Sequence, residues 1–152
     1  MADNKITTSD DTKQYIVIQI GNEKYGIDIS YIDNIIRMQK ITRVPKAQPY
    51  FKGVINLRGD VVPVMSIRTK MGLEEDVFTH STRILILKIE EHGLLGVLVD
   101  EVCEVVTLSE NEIDRTSVKK SADNFINGIG KKGDTLISLF EINAIISERE
   151  VN

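Results

Sequence analysis

The most reactive side chains of this chain stand apart from one another. His80 and His92 fall in polar segments, and neither has a cysteine or second histidine at ligand spacing, so each reads as a solvated imidazole. Cys103 is the only cysteine, which excludes an internal disulfide. It lies among Val102, Val105 and Val106, where a small buried hydrophobe is expected rather than a nucleophile. Gly128 to Gly133, G-I-G-K-K-G, is glycine-rich like a phosphate loop, but it lacks the final K-[ST] and runs into a β-rich segment instead of a helix. Asp and Glu are numerous and scattered. These patterns point to no catalytic residue, no metal and no cofactor.

A different kind of signal sits in Val54 to Val64, V-I-N-L-R-G-D-V-V-P-V. Arg58, Gly59 and Asp60 interrupt an apolar run and cannot enter a core cheaply. An arginine at such a break either marks a solvated turn or is held out for a partner; its planar fork bonds carboxylates and carbonyls while its stem packs on apolar surface. The tripeptide R-G-D also matches an integrin-binding motif, but it is short and frequent by chance.

The 152 residues carry a net charge of −4, with 41% hydrophobic and 28% charged residues, as in an ordinary globular protein. An acidic balance, no tryptophan and 5% aromatics oppose nucleic-acid binding, which needs a basic face or stacking platforms. The polar N-terminus has no signal-peptide core, and no apolar run approaches the roughly 18 residues needed to cross a bilayer. A cytoplasmic protein without membrane insertion is expected.

The elements that must position Arg58 follow from periodicity. Residues 1–13 read as a disordered lead-in and 148–152 as a tail. Tyr15–Ile20 and Lys24–Ile29 flank a turn and predict a hairpin. Ser30 with Asp33 resembles a capping box, and Ile32, Ile35 and Ile36 recur at helical spacing, predicting a short amphipathic helix ending near Met38. Val54–Leu57 and Val61–Met65 are strands about the Arg58 turn, and residues 70–81 form a polar connection. Arg83–Ile89 with Leu94–Val99 is another hairpin, Ser109 to Glu112 is a second capping box, and Glu141 to Ser147 has the spacing of a terminal helix.

Phe125 to Phe140 then mirrors Phe51 to Met65, with Phe51 against Phe125, Gly53 against Gly128 and Gly59-Asp60 against Gly133-Asp134; Gly26-Ile27 likewise matches Gly96-Val97. The offset is about 70 to 75 residues, a two-fold repeat of hairpin, connector, hairpin. Short strands with frequent glycines predict two small closed barrels, since closure removes exposed edges. A segment such as Val102–Leu108 can supply a fifth strand. The expected domain is 14–147, in two subdomains of about 14–81 and 82–147 with possible strand exchange.

The run from Tyr50 to Leu73, Y-F-K-G-V-I-N-L-R-G-D-V-V-P-V-M-S-I-R-T-K-M-G-L, closely resembles the signature of the CheW family of bacterial chemotaxis coupling proteins. Tyr25 to Ile29, Thr42-Arg43 before the proline loop, and Gly96 to Asp100 resemble the same family. The resemblance covers residues 14–147. It implies two coupled SH3-like five-stranded β-barrels with short connecting helices, and a non-catalytic adaptor. Its partners would be the regulatory domain of a CheA-type histidine kinase and the cytoplasmic tip of chemoreceptors, the receptor lying in a groove at the junction of the barrels. Such a chain is expected to be a monomer alone and to assemble into membrane-associated receptor arrays.

By that resemblance Arg58, Ile32, Asn34 and Gly53 are receptor-binding positions, and Val54, Asp60 and Val62 offer a face to the kinase. Asn34 stands where the family commonly has Glu, and Ser66 where many members have Asp, a change expected to alter a local turn or cap. The beginning at Met1 and the end soon after the repeat fit a standalone adaptor better than a kinase fragment or a receiver fusion. The alternative is a ligand- or protein-binding barrel outside chemotaxis, which would need a pocket of converging polar groups.

Overall fold

A computed structural model of the chain describes residues 11–90, 93–116 and 125–147. His92, most of the expected lead-in and the tail lie outside the described residues; positions 12 and 13, assigned above to the lead-in, open the first strand. The strands are β1 (Thr12–Ile20), β2 (Glu23–Asp28), β3 (Ile32–Arg37), β4 (Phe51–Leu57), β5 (Asp60–Ser66), β6 (Arg83–Ile89), β7 (Gly93–Val99), β8 (Glu101–Ser109), β9 (Ile113–Asp114), β10 (Ile126–Lys132) and β11 (Thr135–Phe140). Two short helices accompany them, α1 (Ile67–Lys70) and α2 (Ile142–Ile146). The fold is mainly β, in two sheets, with no described helix long and apolar enough to cross a membrane.

One sheet runs β8-β1-β2-β11-β10-β9 and the other β3-β6-β7-β5-β4. Each closes on itself by the same device. After β3 the chain returns at Thr42, which exchanges two 2.8 Å backbone hydrogen bonds with Val54 of β4. After β8 a 3₁₀ turn, Glu110–Glu112, leads to β9, which pairs with β10. That turn carries the capping box expected from the sequence, the Ser109 N–H donating to Glu112 Oε1 at 2.8 Å. The predicted terminal helix is α2, which buries Ile142 and Ile145.

The compact units do not follow the contiguous halves 14–81 and 82–147. The first holds residues up to 17, 23–29 and 103 onward; the second holds 18–22 and 30–102. Each has its own core. Tyr15, Val17, Val106, Leu108, Ile137 and Leu139 form the first, with Cys103 packed against it. Ile55, Val62, Val64, Ile84, Ile86 and Leu98 form the second.

The expected helix over residues 30–38 is instead a 3₁₀ turn, Ile29–Tyr31, followed by β3. Three isoleucines at spacings of three and one satisfy a helical stripe, but β-branched side chains favour the pleat. The partner decides: β6, apolar and almost wholly buried, needs a neighbour on this side and takes β3 in antiparallel register.

Candidate functional site

The stretch Asn56-Leu57-Arg58-Gly59 resolves into four separate jobs. Leu57 pairs with Asp60, leaving Arg58 and Gly59 as a two-residue turn, and both have positive φ, 54° and 90°. That combination is the type I′ hairpin turn, whose twist matches the flanking strands. Asn56 fixes it, its Oδ1 accepting the Gly59 N–H at 3.1 Å, while Gln39 Nε2 donates to the Asn56 carbonyl at 3.0 Å. Leu57 packs against the second core. Arg58 is exposed and makes no hydrogen bond or ion pair among the described residues.

The repeat sharpens this geometry and corrects the alignment. Gly53 pairs with Val64 and Gly128 with Leu139, each beside a bulge. Counting from those glycines, Arg58 corresponds to Gly133, and Gly59 to Asp134; the sequence alignment was one residue out. Gly133 has φ 60°, so its hairpin meets the left-handed requirement with glycine. At the equivalent position this chain keeps an arginine, which costs roughly 1–2 kcal/mol of backbone strain.

Other sequence-selected residues fall into distinct places. Gly53 is buried at φ 140°, and an added Cβ would lie 2.1 Å from the Thr42 carbonyl oxygen. It therefore permits the close approach of Thr42 to β4 that closes the barrel. Val62 is 1% exposed and belongs to the core, so the expectation that it faces the kinase is corrected. Strand alternation turns its neighbour outward instead: Val61 is 68% exposed. Asp60 is exposed at the foot of the turn, and Val54 is half-buried on β4.

Ile32 and Asn34 lie on β3, not on a helix. They share its half-buried face with Ile36, while Asp33, Ile35 and Arg37 point outward. The isoleucine left exposed is thus Ile35, at 39%. Asn34 Oδ1 accepts the Ile35 N–H at 2.8 Å. Among the described residues β3 is not paired with the Arg58 hairpin; the link is the closure segment, through Gln39 and Thr42. Sequence reasoning missed Asn56 and Gln39. An asparagine three positions before the turn glycine was the available signal for the first.

Ser66 caps α1, accepting the Thr69 N–H at 3.1 Å, and donates its own proton to Asp76 Oδ2. A carboxylate thus stands next to the cap, supplied from ten residues further on. Among the described residues no group of three or more His, Cys, Asp or Glu side chains is placed to hold a metal ion. Cys103 accepts a long contact from Lys24 Nζ at 3.6 Å.

The CheW-like domain family pattern matches residues 14–150. This chain belongs to that family.

Curated relatives agree over nearly the whole length of the CheW-like domain. Chemotaxis protein CheW of Bacillus subtilis (strain 168) is 36% identical over 138 residues, covering 90% of this chain and 88% of that protein. Chemotaxis protein CheW of Helicobacter pylori is 32% identical over 148 residues, covering 97% and 89%. The crystal structure of scaffolding protein TtCheW from Thermoanaerobacter tengcongensis superposes with a TM-score of 0.79 at 29% identity, covering 89% of this chain and 88% of that one.

Proposed function

We propose that this CheW-like chain is a non-catalytic chemotaxis adaptor, coupling the regulatory domain of a CheA-type histidine kinase to the cytoplasmic tips of chemoreceptors. Receptor state would then control the kinase through a chain that itself performs no reaction. The observation that carries this reading is Arg58: exposed, without an intramolecular partner among the described residues, and held in a left-handed turn where the repeat has glycine. A strained, non-glycine residue at a surface turn is evidence of use at that surface. Receptor helix tips offer the carboxylates and carbonyls that a guanidinium fork bonds.

Asp60, Val54 and the exposed Val61 lie on the same hairpin and are the proposed kinase-facing positions. Asn34 and Ile32 act with Arg58 toward the receptor from β3, and Gly53 acts indirectly by letting the barrel close. The chain works in the cytoplasm, gathered at receptor arrays.

The test is a pair of pull-downs with purified protein, one against a CheA-type regulatory domain and one against a receptor cytoplasmic fragment. The wild-type chain is expected in both. Arg58→Glu is expected to lose the receptor and keep the kinase domain, with an unchanged melting curve. Folded wild-type protein that captures neither partner would refute the adaptor reading.

A further inference from the structure

A cleft of about 450 Å³ in the second unit is lined by Arg37, Met38, Thr79, His80, Thr82 and Arg83. Arg37 and Arg83 are direct cross-strand partners in the β3–β6 register. Directly opposed residues on one face hold their Cβ atoms about 4.5–5.5 Å apart, and like charges there are destabilising. No carboxylate lines the cleft to offset them.

The donors are also arranged. Arg83 Nη1 donates to the carbonyls of His80 and Thr82, both at 2.9 Å, which orients the guanidinium and leaves its other N–H groups unspent. Arg37 is exposed, and its guanidinium makes no hydrogen bond or ion pair among the described residues. Thr82, 4% exposed, accepts the Thr79 N–H at 2.9 Å, and Thr79 Oγ1 accepts the Ser81 N–H at 3.1 Å. Each hydroxyl is used as an acceptor and keeps its proton to donate.

We propose that this cleft binds a phosphate group, free or carried as a monoester. Two guanidinium forks match a dianion in charge and can each bond it through paired N–H groups. A single carboxylate would leave one arginine uncompensated. The site uses none of the residues assigned to partner docking.

The experiment is a ¹⁵N NMR titration of the whole chain with sodium phosphate, against sodium chloride and sodium acetate at matched ionic strength. Phosphate should give saturable shifts confined to the amides of residues 37–38 and 79–83, and chloride and acetate should not. Arg37→Gln should weaken phosphate binding about tenfold while its melting temperature in chloride stays level or rises, because the like-charge opposition is gone. Arg37→Lys, which keeps the charge without the fork, should fall between. O-phosphoserine moving the same amides assigns a phosphorylated side chain as the source, and inorganic phosphate alone doing so assigns the free ion. Equal responses to phosphate and chloride, acetate binding as tightly as phosphate, or wild-type phosphate binding by Arg37→Gln would each overturn the proposal.

Discussion

Arg58 is a strained backbone conformation as well as a charge. At φ 54° it occupies a region that glycine enters freely, and its repeat counterpart Gly133 does so. Arg58→Gly is therefore expected to raise unfolding stability by about 0.5–1 kcal/mol in a urea titration, less than the full strain because glycine gains entropy in the unfolded chain. Gly53 behaves oppositely. Its Cβ would meet backbone rather than a movable side-chain tip, so Gly53→Ala should cost about 3 kcal/mol or more. The pair Val61 and Val62 separates surface from core on adjacent residues: Val62→Ala should cost about 1–3 kcal/mol and Val61→Ala within about 0.5 kcal/mol of nothing, both read by denaturant midpoint. Alternation puts the two valines on opposite faces, but in an apolar run it leaves open which face is the core; packing against Ile84, Ile86 and Leu98 decides that Val62 is inside.

At the scale of elements, the hairpins, the Ser109 capping box and the terminal helix were legible because each rests on local chemistry. β3 was not. Its isoleucines fit a 3.6-residue and a two-residue period at once, and the tie is broken by β6, more than 45 positions away in sequence. The turn alignment differs for a related reason: Gly59-Asp60 and Gly133-Asp134 match by residue type, but Leu57 pairs with Asp60 and Lys132 with Thr135, so the register sets Arg58-Gly59 against Gly133-Asp134. A further non-local anchor holds the β1–β2 turn. Asp100 Oδ2 accepts the Gly21 N–H at 2.8 Å, and its carboxylate is forked to Arg68 Nε and Nη2 at 3.2 and 2.5 Å. Burial opposes ionisation of Asp100, but the Arg68 and Gly21 hydrogen bonds outweigh it and hold the carboxyl below its ordinary value. The folded state thus binds this proton less tightly than the unfolded state. The anchor's stability is present above about pH 4 and is lost as pH falls through the depressed value. Asp100→Asn should cost on the order of 1–3 kcal/mol at neutral pH, and chemical denaturation at decreasing pH should show that gap closing as the depressed value is passed.

The whole molecule is two self-closing β units that do not correspond to the two halves of the repeat. The second unit needs β6 and β7 as well as β3, β4 and β5, and the first needs β1 and β2 as well as β8 to β11. Fragments 14–81 and 82–147 made separately are therefore expected to lack a cooperative thermal transition by circular dichroism, while the intact chain has one. The repeat itself was readable from glycine and phenylalanine spacing. Its division into units was not, because pairing across the sequence is fixed by which apolar faces meet rather than by proximity along the chain.

An adaptor must bridge its two partners. In a co-sedimentation experiment with receptor cytoplasmic fragments displayed on vesicles, the kinase regulatory domain should pellet only when the wild-type chain is present. Arg58→Gly, a variant expected to be at least as stable, should leave the regulatory domain in the supernatant while still binding it in solution. Recovery of the regulatory domain in the pellet to the wild-type level with Arg58→Gly would contradict the assignment of Arg58 to the receptor.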